Sequence, residues 1–135
     1  MNLRLECDYI VKNAIHHVLP DSAVKRALDG VAFSDGRLLL VSVGKASWNM
    51  ARSAYEMLGD KINDGIVITK HGYSMGEIGK LRIYEAGHPV PDDDTFFATN
   101  EVLKLTDKLC ENDTVIFLLS GGGSALFEKP FVSAE

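Results

Sequence analysis

The chain has 135 residues, which is enough for one globular domain with a substantial core. Its net charge of −5, with no cluster of lysines and arginines, argues against nucleic acid or an anionic membrane as a partner. No apolar stretch is long enough to span a membrane, and the N-terminus lacks the apolar core of a signal peptide. The sequence therefore predicts a soluble, cytoplasmic protein.

The first thirty residues predict two helices. Apolar residues recur at three- and four-residue spacing over Leu3–Leu19, which indicates an amphipathic helix lying on a sheet. Pro20 should end this helix, because proline removes a backbone donor. Asp21 or Ser22 should then cap a second short helix that reaches about Leu28.

The two cysteines lie far apart, at Cys7 and Cys110, each in a segment with a helical pattern. Without an export signal, they are expected to be free thiols, buried or half-buried, rather than a disulfide. His16 and His17 are adjacent in the first helix and point to different faces. A metal site formed by these two histidines is therefore not expected.

A buried strand is predicted at Leu38–Val43, and Gly44 follows it. The next helix should cover Ala46–Leu58. Lys45 then lies between the carboxyl end of a strand and the amino end of a helix, where the helix dipole disfavours positive charge by some tenths of a kcal/mol. A residue in a mildly unfavourable place can serve a function, and the alternative is a surface lysine in contact with water.

Two further strands are predicted at residues 64–69 and 81–86. The first is predicted to be a buried strand, and the second alternates, which suits a strand nearer the edge. A loop that contains Lys70, His71 and three glycines joins them. The loop is barely long enough for a parallel crossover, so the direction of the second strand stays open.

The segment Gly87–Pro91 reads Gly-His-Pro-Val-Pro and should be extended, because each proline disfavours the helical region for the residue before it. Three aspartates, Asp92–Asp94, follow. They could bind a metal ion, but a helix N-cap with acidic residues in the first turn explains them better. The helix that they begin should end near residues 111–113.

The most distinctive stretch is Thr114–Ser124. Its apolar run, Val115–Leu119, has the composition of a strand buried on both faces. A serine and three glycines follow, whose backbone can turn sharply and approach a ligand closely, and Ser124 should cap a short helix. This pattern indicates a phosphate or carboxylate site, although close packing alone would also explain it, and it matches neither a P-loop nor the dinucleotide fingerprint. The candidate binding residues of this glycine turn (residues 120–124) are Ser120, Gly121, Gly122, Gly123 and Ser124.

The alternation of strands and helices predicts an α/β fold, with a mostly parallel sheet in a Rossmann-like three-layer α/β/α arrangement. Ligands of such sheets bind outside the carboxyl ends of the strands. Lys45, the Lys70–His71 pair, His88 and the glycine turn should therefore converge. The predicted site requires the Lys45 side-chain nitrogen to lie within roughly 15 Å of the Gly122 backbone, since one small ligand cannot bridge more.

Three segments together resemble motifs of the glycerate 2-kinase family, whose members carry a C-terminal MOFRL domain and are often called hydroxypyruvate reductases. The segments are Val43–Ala46, Gly87–Asp92 and Leu119–Leu126, in the family's order, and the resemblance covers essentially the whole chain. It implies transfer of the γ-phosphoryl group of Mg-ATP to the 2-hydroxyl of D-glycerate. Lys45 matches a functionally required lysine of the family, and the glycine turn matches a segment expected to hold phosphate or the substrate carboxylate. His88 lies in a family motif without an assigned role.

Family members continue well beyond residue 135. The resemblance therefore implies that residues 1–135 are the N-terminal part of a Rossmann-like domain, without the rest of that domain and without the MOFRL domain. The acidic ligands of Mg²⁺ are then expected outside the chain, which should be inactive alone. A sheet that is cut off in this way exposes an edge or an apolar face, and we expect it to favour self-association.

Two other functions are compatible with the residues. NAD(P)-dependent hydroxypyruvate reduction needs a dinucleotide turn, but the first strand is followed by Gly44-Lys45-Ala46-Ser47 rather than by Gly-x-Gly-x-x-Gly. A non-catalytic module that binds phosphate or an organic acid would use the same glycine turn without turnover. Separate titrations with ATP and with glycerate would discriminate between binding and catalysis.

Overall fold

The structure is a computed structural model that describes residues 2–131. A parallel sheet forms its centre, with helices on both faces. The strands are β1 (Leu38–Val43), β2 (Asp64–Lys70), β3 (Arg82–Ala86) and β4 (Thr114–Leu119). The helices are α1 (Leu3–Val18), α2 (Pro20–Leu28), α3 (Ser47–Leu58), α4 (Asp93–Thr106) and α5 (Gly123–Leu126), with a 3₁₀ turn at Gly59–Lys61. None of the helices within residues 2–131 is both long and apolar enough to cross a bilayer.

The strand order is β3-β2-β1-β4, and every neighbouring pair is parallel. In the register of the central strand, Val41 pairs with Ile66 on one side and with Phe117 on the other. This arrangement confirms the predicted α/β fold and settles the direction of β3, which is parallel and lies at an edge. Because all four strands run the same way, their carboxyl ends meet at one edge of the sheet.

Two apolar layers hold the helices on the sheet. Successive residues of a strand point to opposite faces, so Leu40 faces α2 and α3 while Val41 faces α4. The first layer contains the buried residues Val24, Leu38, Leu40, Trp48, Ala51, Ala54, Leu58, Ile62, Val67, Ile78 and Leu81. The second layer contains Val41, Val43, Ile66, Ile68, Ala86, Ala98, Val102 and Leu126.

Helix α1 forms where it was predicted, but it does not lie on the sheet. None of its residues is buried, and Ile10 and Val18 are 64% and 79% exposed. The expectation of a helix laid on the sheet is wrong for the described residues, because α2 and α3 occupy one face and α4 and α5 the other. Its apolar stripe has no partner within residues 2–131.

Some predicted helix boundaries differ from the observed ones. Pro20 begins α2 rather than separating the two helices, because its fixed φ suits the first helical turn, and neither Asp21 nor Ser22 caps that helix. Helix α4 ends at Thr106, before residues 111–113. Cys110 therefore lies outside a helix, and both cysteines are free, as predicted, but exposed rather than buried.

Strand β4 lies at the second edge of the sheet. None of its residues is buried, and Phe117 and Leu119 are 47% and 63% exposed. The prediction of a strand buried on both faces is wrong for the described residues, because within 2–131 β4 pairs with β1 alone. An apolar composition cannot distinguish an edge strand from a central one.

An ion pair fixes the amino ends of β1 and β4 beside each other. The Arg37 guanidinium contacts the Asp113 carboxylate at 2.6 Å, and the Arg37 N–H donates to the same carboxylate at 2.8 Å. The Thr114 N–H donates to the Arg37 carbonyl at 2.8 Å. The hydrogen bonds from Arg37 hold the pKa of the Asp113 carboxyl well below its usual range. The register of β4 is thus set before the strand begins.

Candidate active site at the carboxyl edge of the sheet

The turns that follow β1 and β4 are joined by hydrogen bonds. The Ser120 N–H donates to the Val43 carbonyl at 2.9 Å, and the Lys45 N–H donates to the Gly121 carbonyl at 3.0 Å. The Ala46 N–H donates to Ser120 Oγ, also at 3.0 Å. Each bond extends the parallel pairing of the two strands beyond their ends. The lysine turn and the glycine turn therefore form one unit.

Gly122 is the point at which the candidate residues meet. Its φ is +90°, and a Cβ there would lie 2.8 Å from Cδ2 and Nε2 of His88 and 3.3 Å from Cγ of Lys45. Only glycine allows the imidazole and the lysine stem to approach the backbone so closely. The predicted convergence of Lys45, His88 and the glycine turn is confirmed, and the lysine nitrogen is well within the required distance of Gly122.

The glycine turn is open to solvent on one side. Lys45 and Gly121 are exposed, and His88 and Ser120 are half-buried. Among the hydrogen bonds within residues 2–131, none uses the N–H of Gly121 or of Gly122 as donor to a protein acceptor. These two donors can therefore serve a ligand.

The short helix after the turn does not begin as predicted. Its N-cap is Gly122 rather than Ser124, because the left-handed backbone at Gly122 already turns the chain and Gly123 is the first helical residue. The Gly123 N–H donates to the Ser120 carbonyl at 3.2 Å. Ser124 lies exposed inside the helix.

The loop that carries His88 is shaped by Asp92. One carboxylate oxygen, Oδ1, accepts the N–H of Gly87 at 3.0 Å and the N–H of Thr95 at 2.9 Å. This confirms Asp92 as the N-cap of α4, and the Thr95 side chain completes a capping box. Because both ends of the loop are tied to one carboxylate, residues 88–90 bend instead of extending as predicted, with a cis peptide bond before Pro89.

His71 is linked to the same carboxylate. Its Nε2 lies 2.8 Å from Oδ2 of Asp92 and 3.8 Å from Oδ2 of Asp94. The hydrogen bond to Asp92 raises the pKa of His71 above its ordinary value. Desolvation opposes ionisation of Asp92, but the hydrogen bonds from His71, Thr95 and Gly87 outweigh it and lower the pKa of Asp92 to about 2. His71, Asp92 and Asp94 place possible metal-ligand atoms within 4.8 Å of one another. The hydrogen bonds to Asp92 already explain its position and its lowered pKa without a metal ion.

Lys70 does not join the site. Its ammonium lies 5.3 Å from the centre of the Tyr73 ring, which is a cation–π distance. His71 reaches the site indirectly, through Asp92 and the Gly87 N–H. The sequence analysis did not predict that Asp92 links the His71 loop to the His88 loop. The short interval between Gly87 and Asp92 was the signal that could have indicated this link.

The chain is an α/β protein in which Lys45, His88 and the glycine turn lie together at the carboxyl edge of the sheet. Residues 6–135 match the family described as "Domain of unknown function (DUF4147)", and the chain belongs to that family. A D-glycerate 2-kinase from Thermotoga maritima is 58% identical over 121 residues. A glycerate 2-kinase from Pyrococcus horikoshii is 41% identical over 95 residues. These relatives bear out the resemblance to glycerate 2-kinases.

A solved structure agrees with the fold. The crystal structure of a glycerate kinase from Thermotoga maritima superimposes with a TM-score of 0.90 at 55% identity, covering 97% of this chain and 32% of that one. The match with the Thermotoga relative covers 90% of this chain and 28% of the length of that relative. The match with the Pyrococcus relative covers 70% of this chain and 21% of the length of that relative. It therefore spans a third or less of the relatives that it matches.

The first prediction concerns the His71–Asp92 pair. Replacing Asp92 with Asn removes the charge beside His71, so the pKa of His71 should fall toward its ordinary 6.5. Because the pKa of His71 is raised in the folded state, its protonated ring stabilises the fold below pH 6.5. This contribution is lost as the pH rises through the raised pKa of His71. Because the pKa of Asp92 is lowered in the folded state, its carboxylate stabilises the fold above pH 3.8. This contribution is lost as the pH falls toward the lowered pKa of about 2.

The D92N variant should therefore lose most stability between about pH 4 and pH 6.5. NMR titration of His71 and thermal melting across this range would measure both effects. Asp93→Asn, an exposed neighbour in the first turn of α4, is the matched control. A pKa of His71 that is unchanged in D92N would contradict the prediction.

The second prediction concerns Gly122. Gly122→Ala and Gly72→Ala both place a side chain at positive φ, +90° and +76°, which costs about 1 kcal/mol or more. Only Gly122→Ala also pushes a methyl group against His88, since Gly72 has open space around it. We expect Gly122→Ala to lose more free energy of unfolding in urea denaturation than Gly72→Ala, and to shift the ring resonances of His88. Equal losses with unchanged His88 resonances would refute the contact.

Proposed function

We propose that the chain belongs to a glycerate 2-kinase that transfers the γ-phosphoryl group of ATP to the 2-hydroxyl of D-glycerate. The observation that carries the proposal is the contact of Lys45 and His88 with the Gly122 backbone, at the edge of the sheet where α/β proteins bind ligands. The names of the relatives agree with it. Because the chain spans a third or less of those relatives, the activity is proposed for the whole protein, and residues 1–135 alone are expected to be inactive.

Lys45 has the central role in this proposal. Phosphoryl transfer needs little covalent help from a protein, but it needs positive charge and N–H donors placed around the transferred group. The Lys45 ammonium supplies the charge, and the N–H groups of Gly121 and Gly122 supply donors that no protein acceptor among residues 2–131 engages. Positive charge in this place stabilises the charge that develops on the phosphoryl oxygens.

The residues present suit an anionic ligand such as the phosphates of ATP. A Cβ at Gly121 would come no closer than 4.0 Å to another group, the Cε of Lys45, so a ligand can approach this backbone. ATP supplies the phosphoryl group, and Mg²⁺ would neutralise its charge. We expect the ligands of Mg²⁺ to lie outside this chain. The carboxylate of glycerate is the second anion that the glycine turn could hold.

His88, Gly123 and Ser124 complete the proposed site. The imidazole of half-buried His88 lies against Gly122, and we expect its Nε2 to hydrogen-bond a ligand on that backbone. Ser124 is exposed one residue beyond the start of α5, and we expect its hydroxyl to bind the same ligand. His88 and Ser124 would bind or orient the substrates, Gly123 would fix the turn through its bond to the Ser120 carbonyl, and Lys45 would act on the transferred group.

The third prediction tests the function through Lys45. In the longest polypeptide that the reading frame encodes, Lys45→Met should lower kcat for glycerate phosphorylation by about 10³-fold, because an electrostatic group is lost from the transition state. Lys45→Arg keeps the charge and should recover part of the rate. Lys61→Met, an exposed lysine in the 3₁₀ turn, is the matched control. The measurement is glycerate-dependent release of ADP.

A Lys45→Met variant with normal kcat would remove Lys45 from the chemistry, and two other results would overturn the kinase function itself. Oxidation of NADH with hydroxypyruvate, without phosphorylation of glycerate, would favour the reductase alternative. Binding of ATP or glycerate by the whole protein without turnover would instead indicate a non-catalytic binding module.

We also propose that residues 1–135, when isolated, associate through β4. The strand leaves one edge unpaired within residues 2–131, and Phe117 and Leu119 stand exposed beside it. Unpaired edges with apolar side chains favour pairing between chains.

The fourth prediction tests this association. Phe117→Lys should abolish a concentration-dependent dimer in sedimentation, because it places a charge on the apolar surface of the edge strand. Met75→Lys changes an equally apolar side chain, 60% exposed, in the loop after β2 and should have no effect. A clean monomer of the unsubstituted chain at high concentration would exclude the association.

A further inference from the structure

Ser120 stands between the lysine turn and the glycine turn. Its hydroxyl oxygen accepts the Ala46 N–H at 3.0 Å. Ala46 is the N-cap residue of α3, and its own N–H precedes the helical hydrogen bonds. The acceptor for this N–H comes from the residue after β4, 74 residues further along the chain.

Gly44 and Ala46 both lie against the Ser120 hydroxyl. A Cβ at Gly44 would overlap the Ser120 side chain, and it would lie 2.7 Å from the Ser120 carbonyl oxygen. Two backbone hydrogen bonds flank the contact, from Ser120 to Val43 and from Lys45 to Gly121. Ser120 is thus held by Gly44 on one side and by Ala46 on the other. Lys45 lies between these two residues.

We propose that Ser120 is a positioning residue, which holds Lys45 against the glycine turn, rather than a ligand for phosphate. Its oxygen accepts the Ala46 N–H and so ties the glycine turn to the residue after Lys45, whereas the Gly121 and Gly122 N–H groups, among residues 2–131, have no protein acceptor and can serve a ligand. The role of Ser120 in catalysis rests on the proposed kinase function. Its role in placing Lys45 depends only on the contacts between the two turns.

The structural test uses NMR on the 135-residue chain and on three variants. Because Cγ of Lys45 lies 3.3 Å from where a Gly122 Cβ would be, nuclear Overhauser contacts are expected between the Lys45 methylene protons and the Gly122 Hα. Ser120→Ala should weaken these contacts and speed exchange of the Ala46 amide by about tenfold or more, since its acceptor is lost. Ser120→Thr keeps the hydroxyl and should preserve both signals. Ser22→Ala, which removes the weak 3.5 Å bond to Leu19, is the control.

The kinetic test uses the longest encoded polypeptide. Ser120→Ala should lower kcat about tenfold with KM within about twofold, because the transition-state charge is misplaced while both substrates still bind. Ser120→Thr should recover the rate. A raised KM with normal kcat would make Ser120 a substrate ligand and overturn the proposal, and so would unchanged Lys45 contacts in Ser120→Ala. If the unsubstituted protein phosphorylates no glycerate, the kinase proposal fails while the NMR result still decides the role of Ser120.

Discussion

The parallel pairing of β1 with β4 is the constraint on which the rest of the candidate site depends. The Arg37–Asp113 ion pair sets the register at the amino ends of the two strands, and the Ser120–Ala46 bond continues the pairing beyond the carboxyl ends. Because both strands end at the same level, Lys45 is placed beside the glycine turn. A shift of register by one residue would turn every side chain of β4 to the other face and separate Lys45 from the turn.

A second carboxylate, that of Asp92, plays the same part for the histidine loop. It caps α4, ties down Gly87 and pairs with His71, so one side chain links the turns after β2 and β3 to a helix. His88 gains its place against Gly122 from this arrangement. Both halves of the site are therefore held by short polar contacts outside the apolar core, which is typical of sites that are built on loops over a rigid sheet.

The sequence predicted the elements well where local patterns are strong. It placed β1 at its observed bounds and located Lys45 and the glycine turn, because strand composition and glycine runs are local properties. The sequence did not predict the burial of β4 correctly. Val115–Leu119 has the composition of a central strand, yet β4 is an edge strand with Leu119 exposed. Burial depends on what stands beside a strand, and composition does not carry that information.

The sequence by itself determined the α/β class, the mostly parallel sheet, the location of its three motifs and the resemblance to glycerate 2-kinases. Only the tertiary structure decided that Lys45 and His88 meet at Gly122, and that Ser120 and Asp92 hold them there. The physical reason is separation along the chain. Lys45 and Gly122 lie 77 positions apart in the numbering, and only the pairing and register of the strands bring such distant residues into contact.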